Sequence, residues 1–265
     1  MSVSESVSNA NPFLQGNNEP VYEETTTTEM EVIGKVPVDI SGSFLRVGPN
    51  PYYVPDEERY HIFDGDGMIH GIHFNEGKAT YRNRFIQTKG LIEEREKGQW
   101  IYPGLNMFGE YIARGEMPGT KNTGNTAMVF HQGQLFAMME GGTPYRMSLP
   151  ELETLGEHDF DGTVTHNFTA HPKVDVKTGE MMTFGYALEP PFLSYSVVGQ
   201  DGRASHSTEI TIPKPIMMHD CAITEHYTVF ADLPLVFDFE KMMAGDGLVG
   251  WQPENGCRIG IVPRR

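Results

Sequence analysis

"VFHQGQLFAMME", residues 129–140, reads as strand, turn, strand, with His131-Gln132-Gly133-Gln134 at the turn. "VDVKTGEMMTFGYAL" (174–188) repeats the form around Lys177-Thr178-Gly179-Glu180, and "CAITEHYTVFAD" (221–232) repeats it around Glu225-His226. The turn centres lie near 133, 179 and 226, which makes steps of 179 − 133 = 46 and 226 − 179 = 47 residues. Short strands at a period of about 40–50 residues are the pattern of β-propeller blades. A β-sandwich with chance spacing fits the same runs. The units end in polar turns such as "VGQDGR" (198–203) and "LPELETLG" (149–156). At this period the chain holds roughly four to five blades, the last one cut short.

Composition agrees with an all-β chain. Glycine (29) and proline (18) supply 47 of 265 residues, above average usage, and they separate brief runs rich in Val, Ile, Phe, Tyr and Thr. Helix signals are scarce. The first residues, "MSVSESVSNANPFLQGNNEP", are polar and lack the basic and apolar regions of a secretory signal. Residues 1–29 are expected to form a flexible N-terminal arm, and 30–265 a partial propeller. A formal net charge of −16 removes the basic footprint that nucleic acid requires, so no nucleic-acid partner is expected. No run approaches the ~18 apolar residues of a membrane helix. The two cysteines, Cys221 and Cys257, have no CxxC spacing and build no disulfide scaffold. A cytoplasmic protein is expected.

Of the ten histidines, most flank turns or sit in polar stretches. His131 and His226 read as turn residues; His158, His166 and His206 lie in polar runs. His171 in "FTAHPKVDV" and His219 in "MMHDCAITEHYTVF" instead sit among residues that read as buried strand, 219 − 171 = 48 residues apart, one repeat length. Equivalent positions of successive blades converge on a propeller axis, so the two imidazoles can meet there. Neutral imidazole ligates Fe, Zn, Cu or Ni. Two core histidines bonded to backbone satisfy the same pattern. Glu140 ends an apolar strand one repeat earlier and is a candidate acceptor for the other ring N–H of a ligating histidine; an exposed strand-end glutamate is the plainer reading. In "HIFDGDGMIHGIHF" (61–74), Asp64 and Asp66 stand between glycines without the further ligands of a calcium loop. The stretch reads as a tight turn in which Gly65 and Gly67 take positive φ. There is no P-loop, no GxGxxG after a strand and no GxSxG elbow.

"GSFLRVGPNPYY" (42–53), "HIFDGDGMIHGIHF" (61–74), "NTAMVFHQGQLFAMMEGGTPYRM" (125–147), "FTAHPK" (168–173) and "MMHDCAITEHYTVF" (217–230) together resemble the carotenoid cleavage oxygenase family, which includes lignostilbene dioxygenases and a retinoid isomerohydrolase. The likeness runs from about residue 30 to the C-terminal end. It implies a seven-bladed propeller, of which this chain covers the N-terminal blades, capped by loops and short helices. It implies one Fe(II) per chain on the axis, held by four histidines. His171 and His219 match two of the four, and the other two are expected beyond residue 265. Glu140 matches the first of three outer glutamates. Thr126 matches a threonine that crowds an open coordination position, and Phe63 and Met139 match positions lining the substrate tunnel.

The implied reaction splits a C=C bond of a conjugated chain into two carbonyl products with dioxygen. The lignostilbene branch has a lysine just before the glutamate to engage a phenolic oxygen; here that residue is Met139, which favours an apolar carotenoid or apocarotenoid over a phenolic stilbene. Peripheral membrane contact accompanies this chemistry in the family. Met138, Met139, Met217 and Met218 suit an apolar tunnel, although ordinary core filling suits most of them better. By itself, the 265-residue chain is expected to be a catalytically incomplete propeller fragment, with the metal half-ligated and strand edges open.

Overall fold

The structure, a computed structural model, describes residues 11–264 apart from 55, 117, 118 and 245. The protein is all-β, with antiparallel sheets and, among the described residues, three short α-helices. The first sheet holds β1 (Thr26–Thr27), β2 (Gly42–Pro49), β3 (Gly67–Asn75) and β4 (Lys78–Phe85), in the order β1-β4-β3-β2. The second runs in chain order through β5 (Ala127–His131), β6 (Gln134–Met138), β7 (Tyr145–Met147) and β8 (Thr154–Glu157). The third does the same through β9 (Lys173–Val174), β10 (Met181–Tyr186), β11 (Leu193–Val198) and β12 (Ala204–Glu209).

In the fourth sheet, β13 (Cys221–Ile223) pairs with β14 (Tyr227–Asp232), and β14 with β17 (Arg258–Pro263). Between β14 and β17 a separate hairpin is inserted, β15 (Leu235–Phe237) and β16 (Val249–Trp251), carrying α3 (Phe239–Ala244). α1 (Lys89–Lys97) and α2 (Phe108–Ala113) lie between the first and second sheets in sequence, and α2 packs on α3.

Turn chemistry explains the hairpins. Gln132 and Gly133 both take positive φ (50° and 74°), the paired left-handed turn that matches strand twist, so His131 pairs with Gln134 across it. His131 is therefore the last residue of β5 rather than part of the turn, and it is buried. The turns around Gly179 and around Glu225-His226 fall where the sequence places them, between β9 and β10 and between β13 and β14.

"FDGDGM" departs from expectation. Gly65 has φ −64°, and neither it nor Gly67 lies in the left-handed region. Space is the reason for glycine here. A Cβ on Gly65 would stand 2.7 Å from the Tyr60 hydroxyl, and one on Gly67 2.6 Å from the Thr123 carbonyl oxygen. Asp64 closes a 3-10 turn over Ile62–Asp64 by accepting the His61 N–H.

Successive sheets pack face to face, and strand alternation sorts the core. Leu135 and Ala137 of β6 face the first sheet, with Ile69, Tyr145 and Leu152. Phe136 and Met138 of the same strand face the third, with Phe160, Phe168 and Met181. Phe184, Tyr195 and Val197 pack with Met218, Cys221 and Phe230 between the third and fourth sheets. Edge strands of neighbouring sheets lie together, β2 beside β5 and β9 beside β13.

Ahead of β1, buried Asn50 exchanges two 2.7 Å bonds with the Val21 backbone, and buried Asn83 bonds Thr25 N and Glu23 O. The first ten residues of the expected arm lie outside the described residues. Both cysteines are free, Cys221 buried and Cys257 exposed.

Candidate metal centre

His171 and His219 are not strand residues. Each sits two positions before the first strand of its sheet, His171 ahead of β9 and His219 ahead of β13. Thr126 directly precedes β5 in the same way, and Glu140 follows β6. Pro172 cannot donate to a ladder, which keeps the His171 lead-in out of the sheet. That lead-in is nonetheless held on both sides: Gly141 N donates to Phe168 O (2.9 Å) and Thr169 N to Phe184 O (2.8 Å). The lead-in to His219 is held by the inserted hairpin, where Met217 N donates to Leu235 O and Phe237 N to Pro215 O, both at 2.9 Å.

These lead-ins bring Glu140, His171 and His219 together from three sheets. One ligand atom from each lies within 4.8 Å of the others. The imidazole centroids are 4.6 Å apart at 62°. Glu140 Oε2 stands 3.9 Å from His171 Nε2 and 3.7 Å from His219 Nδ1, and it accepts the Ala170 N–H at 3.4 Å. Side-chain exposure rises from 18% at Glu140 through 28% at His171 to 55% at His219, so the group opens on one side.

Burial pushes the Glu140 pKa up to about 7, against hydrogen bonds from Ala170 and the Thr169 side chain that pull it down. Burial, then the neighbouring His219, pushes His171 down. Glu140 Oε1 and His171 Nε2 are buried without a hydrogen-bond partner among the described residues. Lys173, two residues after His171, pairs with Asp220 at 2.6 Å. A cation fits this group: it would satisfy the orphaned His171 Nε2, and imidazoles beside a carboxylate are ordinary surroundings for a divalent metal.

The remaining predicted residues lie around this group rather than in it. Thr126 is exposed, and its hydroxyl donates to Asn125 Oδ1 at 3.0 Å. Asn125, buried and not anticipated from sequence, also donates to Phe63 O (2.9 Å) and Gly65 O (2.7 Å), tying the 3-10 turn to the lead-in of β5. Phe63 itself is 66% exposed and packs edge-on against His61. Met139 is half-buried, and its sulfur accepts the Thr123 N–H at 3.1 Å. Met138 and Met218 are core residues, as expected. A 470 Å³ hollow lined by Thr178, Glu180, Gln200 and His206 includes none of the three clustered residues. Thr169, between Glu140 and His171, also escaped notice; its only sequence signal is a hydroxyl inside the apolar run ahead of a candidate ligand.

A carboxylate and two imidazoles gathered at strand ends from three antiparallel sheets define a candidate metal-binding β protein. The chain belongs to the retinal pigment epithelial membrane protein family, whose sequence profile matches residues 18–265. It is 43% identical over 270 residues to carotenoid 9,10(9',10')-cleavage dioxygenase 1 of Phaseolus vulgaris, an alignment covering 95% of this chain and 50% of that protein. The crystal structure of Pseudomonas brassicacearum lignostilbene dioxygenase superimposes with a TM-score of 0.83 at 36% identity, covering 96% of this chain and 54% of that one. A variant of the Synechocystis apocarotenoid oxygenase gives 0.77 at 26% identity, covering 92% and 55%. The chain thus spans about half the length of the relatives it matches. No helix among the described residues is long and apolar enough to cross a membrane.

Proposed function

We propose that this chain is the iron-binding N-terminal part of an Fe(II)-dependent dioxygenase that cleaves a C=C bond of a carotenoid-like or apocarotenoid-like polyene. The observation that carries this is the convergence of Glu140, His171 and His219, with His171 Nε2 buried and unmatched, in a chain 43% identical to a carotenoid cleavage dioxygenase. Iron, when bound, activates dioxygen for addition across the alkene; one O2 and one C=C account for two carbonyl products. His171 and His219 ligate, and two further imidazoles come from outside residues 1–265. Glu140 orients the His219 ring through Nδ1, the kind of outer contact that sets ligand geometry. Thr126 narrows the approach to the metal.

The sheets described are successive blades of a seven-bladed propeller. The half-buried Met139 thioether, pinned by Thr123, offers an apolar wall and no cation for a phenolate. That supports a polyene over a stilbene substrate, although the lignostilbene dioxygenase likeness keeps stilbene cleavage as the second reading. The free thiols fit a cytoplasmic location. Exposed Leu105, Phe239 and Met243, in and beside the short helices, fit a peripheral membrane contact.

The test joins this chain to a C-terminal half of the length its relatives have, loads Fe(II), and measures aldehydes released from apocarotenoids and stilbenes. Cleavage of apocarotenoids is expected. Iron-loaded protein that yields no carbonyl product from either class overturns the proposal. The 265-residue chain alone is expected to yield none.

A further inference from the structure

We propose that Thr169 is a positioning residue of the metal centre: its hydroxyl donates to the Glu140 carboxylate while accepting the His171 N–H, so one side chain locks the carboxylate to the backbone of the neighbouring ligand. This rests on the metal reading above.

Thr169 is 1% exposed, and its own N–H is committed to Phe184 O of β10 at 2.8 Å. Its Oγ1 accepts from His171 N at 3.0 Å. A hydroxyl that has accepted still has a proton to give, and a buried hydroxyl that gives it to nothing is costly. Glu140 is the carboxylate at this turn: Ala170 N, the next amide in the chain, donates to its Oε2 at 3.4 Å, and the Thr169 side chain is among the groups that hold its pKa down. The Oε1 of that carboxylate is a buried acceptor that no other donor meets, and it is the oxygen to which we assign the Thr169 proton.

The next residue in the run serves the other oxygen, since Ala170 N donates to Oε2. Oε2 is also the oxygen that faces His219 Nδ1 and His171 Nε2. Three consecutive residues therefore address one group: a hydroxyl and an amide fix the rotation of the carboxylate, and an imidazole stands beside it. Packing alone asks for nothing more than the volume of valine at 169. The hydroxyl is explained by what it holds.

Cobalt(II) titration of the chain, followed by visible absorption, tests this on Thr169→Val, Thr169→Ser, Glu140→Gln and the Thr169→Val/Glu140→Gln double variant, with thermal melts to register folding. Thr169→Val should weaken binding by about 10-fold and Glu140→Gln by about 10–100-fold, the range for lost outer contacts. Thr169→Ser should bind as the wild type does. Because Thr169 acts through Glu140, the double variant should bind no more weakly than Glu140→Gln alone, an outcome that simple loss of packing does not produce.

Wild-type affinity in Thr169→Val overturns the inference, as do multiplying effects in the double variant. A Thr169→Ser variant as weak as the valine form also overturns it, even where the valine form folds poorly. A folded wild-type chain that binds no Co(II) overturns the metal reading itself, and this inference with it.

Discussion

Lys121, Asp66 and Glu94 form one cluster of titratable side chains; Glu140, His171 and His219 form another. Both are assembled from three distant stretches. In the first, Lys121 Nζ lies 2.5 Å from Asp66 Oδ1 and 2.5 Å from Glu94 Oε2, with side-chain exposures of 5%, 1% and 0%. Tyr52 N and Ile101 N bond the two carboxylates, and the ammonium lies 5.0 Å from the Trp100 ring centre. Burial pushes the Glu94 pKa up against the pull of Lys121.

The second cluster is more open, and no lysine or arginine of the described residues pairs with it. A buried charge set closed by its own ammonium is architecture, here joining α1 to the start of β3 and the approach to β5. A carboxylate and two imidazoles with no paired ammonium can instead hold a metal cation.

The largest expected effect lies in the closed cluster. Lys121→Met strands two buried carboxylates, and breaking a buried pair costs about 3–5 kcal/mol. Urea unfolding should show that loss; a change under about 1 kcal/mol would place the triad with surface pairs and remove the contrast. The open cluster should respond in the opposite way. His219→Ala, at a half-exposed side chain, should shift stability by no more than about 0.5 kcal/mol and abolish metal binding, read by metal analysis after dialysis. Metal retained at full occupancy, or a collapse in stability, would make His219 part of the architecture instead.

The two clusters were not equally legible. Spacing allowed the histidine pair of the open one, because the 48-residue step between His171 and His219 matches the repeat that "HQGQ", "KTGE" and "EH" mark by their turns, while the family resemblance was needed to choose a metal pair over two core histidines and to bring in Glu140. Even there the local reading erred: both histidines sit ahead of strands, where backbone is free to aim a ring, and not within them. The closed cluster gave no signal. Asp66 looked like part of a glycine turn, and no motif marked Glu94 or Lys121. Their meeting depends on packing between segments 27 and 55 (121 − 66) residues apart, which no local pattern carries. The glycines of "FDGDGM" were read as conformational, whereas close approach of Tyr60 and Thr123 demands them.

A third imidazole sharpens the comparison by supplying the satisfied case. His131 is 3% exposed, like a core residue, yet its Nε2 is 2.9 Å from Gly179 O, so it bridges the second and third sheets with a partner that His171 Nε2 lacks. Burial lowers its pKa below 6.5, and the bond to Gly179 only partly restores it. The unfolded chain therefore takes up that proton first as pH falls below 6.5, and stability drops through the folded-state value below it. His131→Gln keeps an N–H for Gly179 and removes the titration. Its loss of Tm between about pH 7.5 and about pH 5.5 should be smaller than the wild type's by on the order of 2 °C. The slope shrinks without vanishing, because burial lowers His70, His158 and His166 as well. An unchanged slope would mean that His131 is protonated alike in both states, and that being bonded does not separate it from His171 and His219.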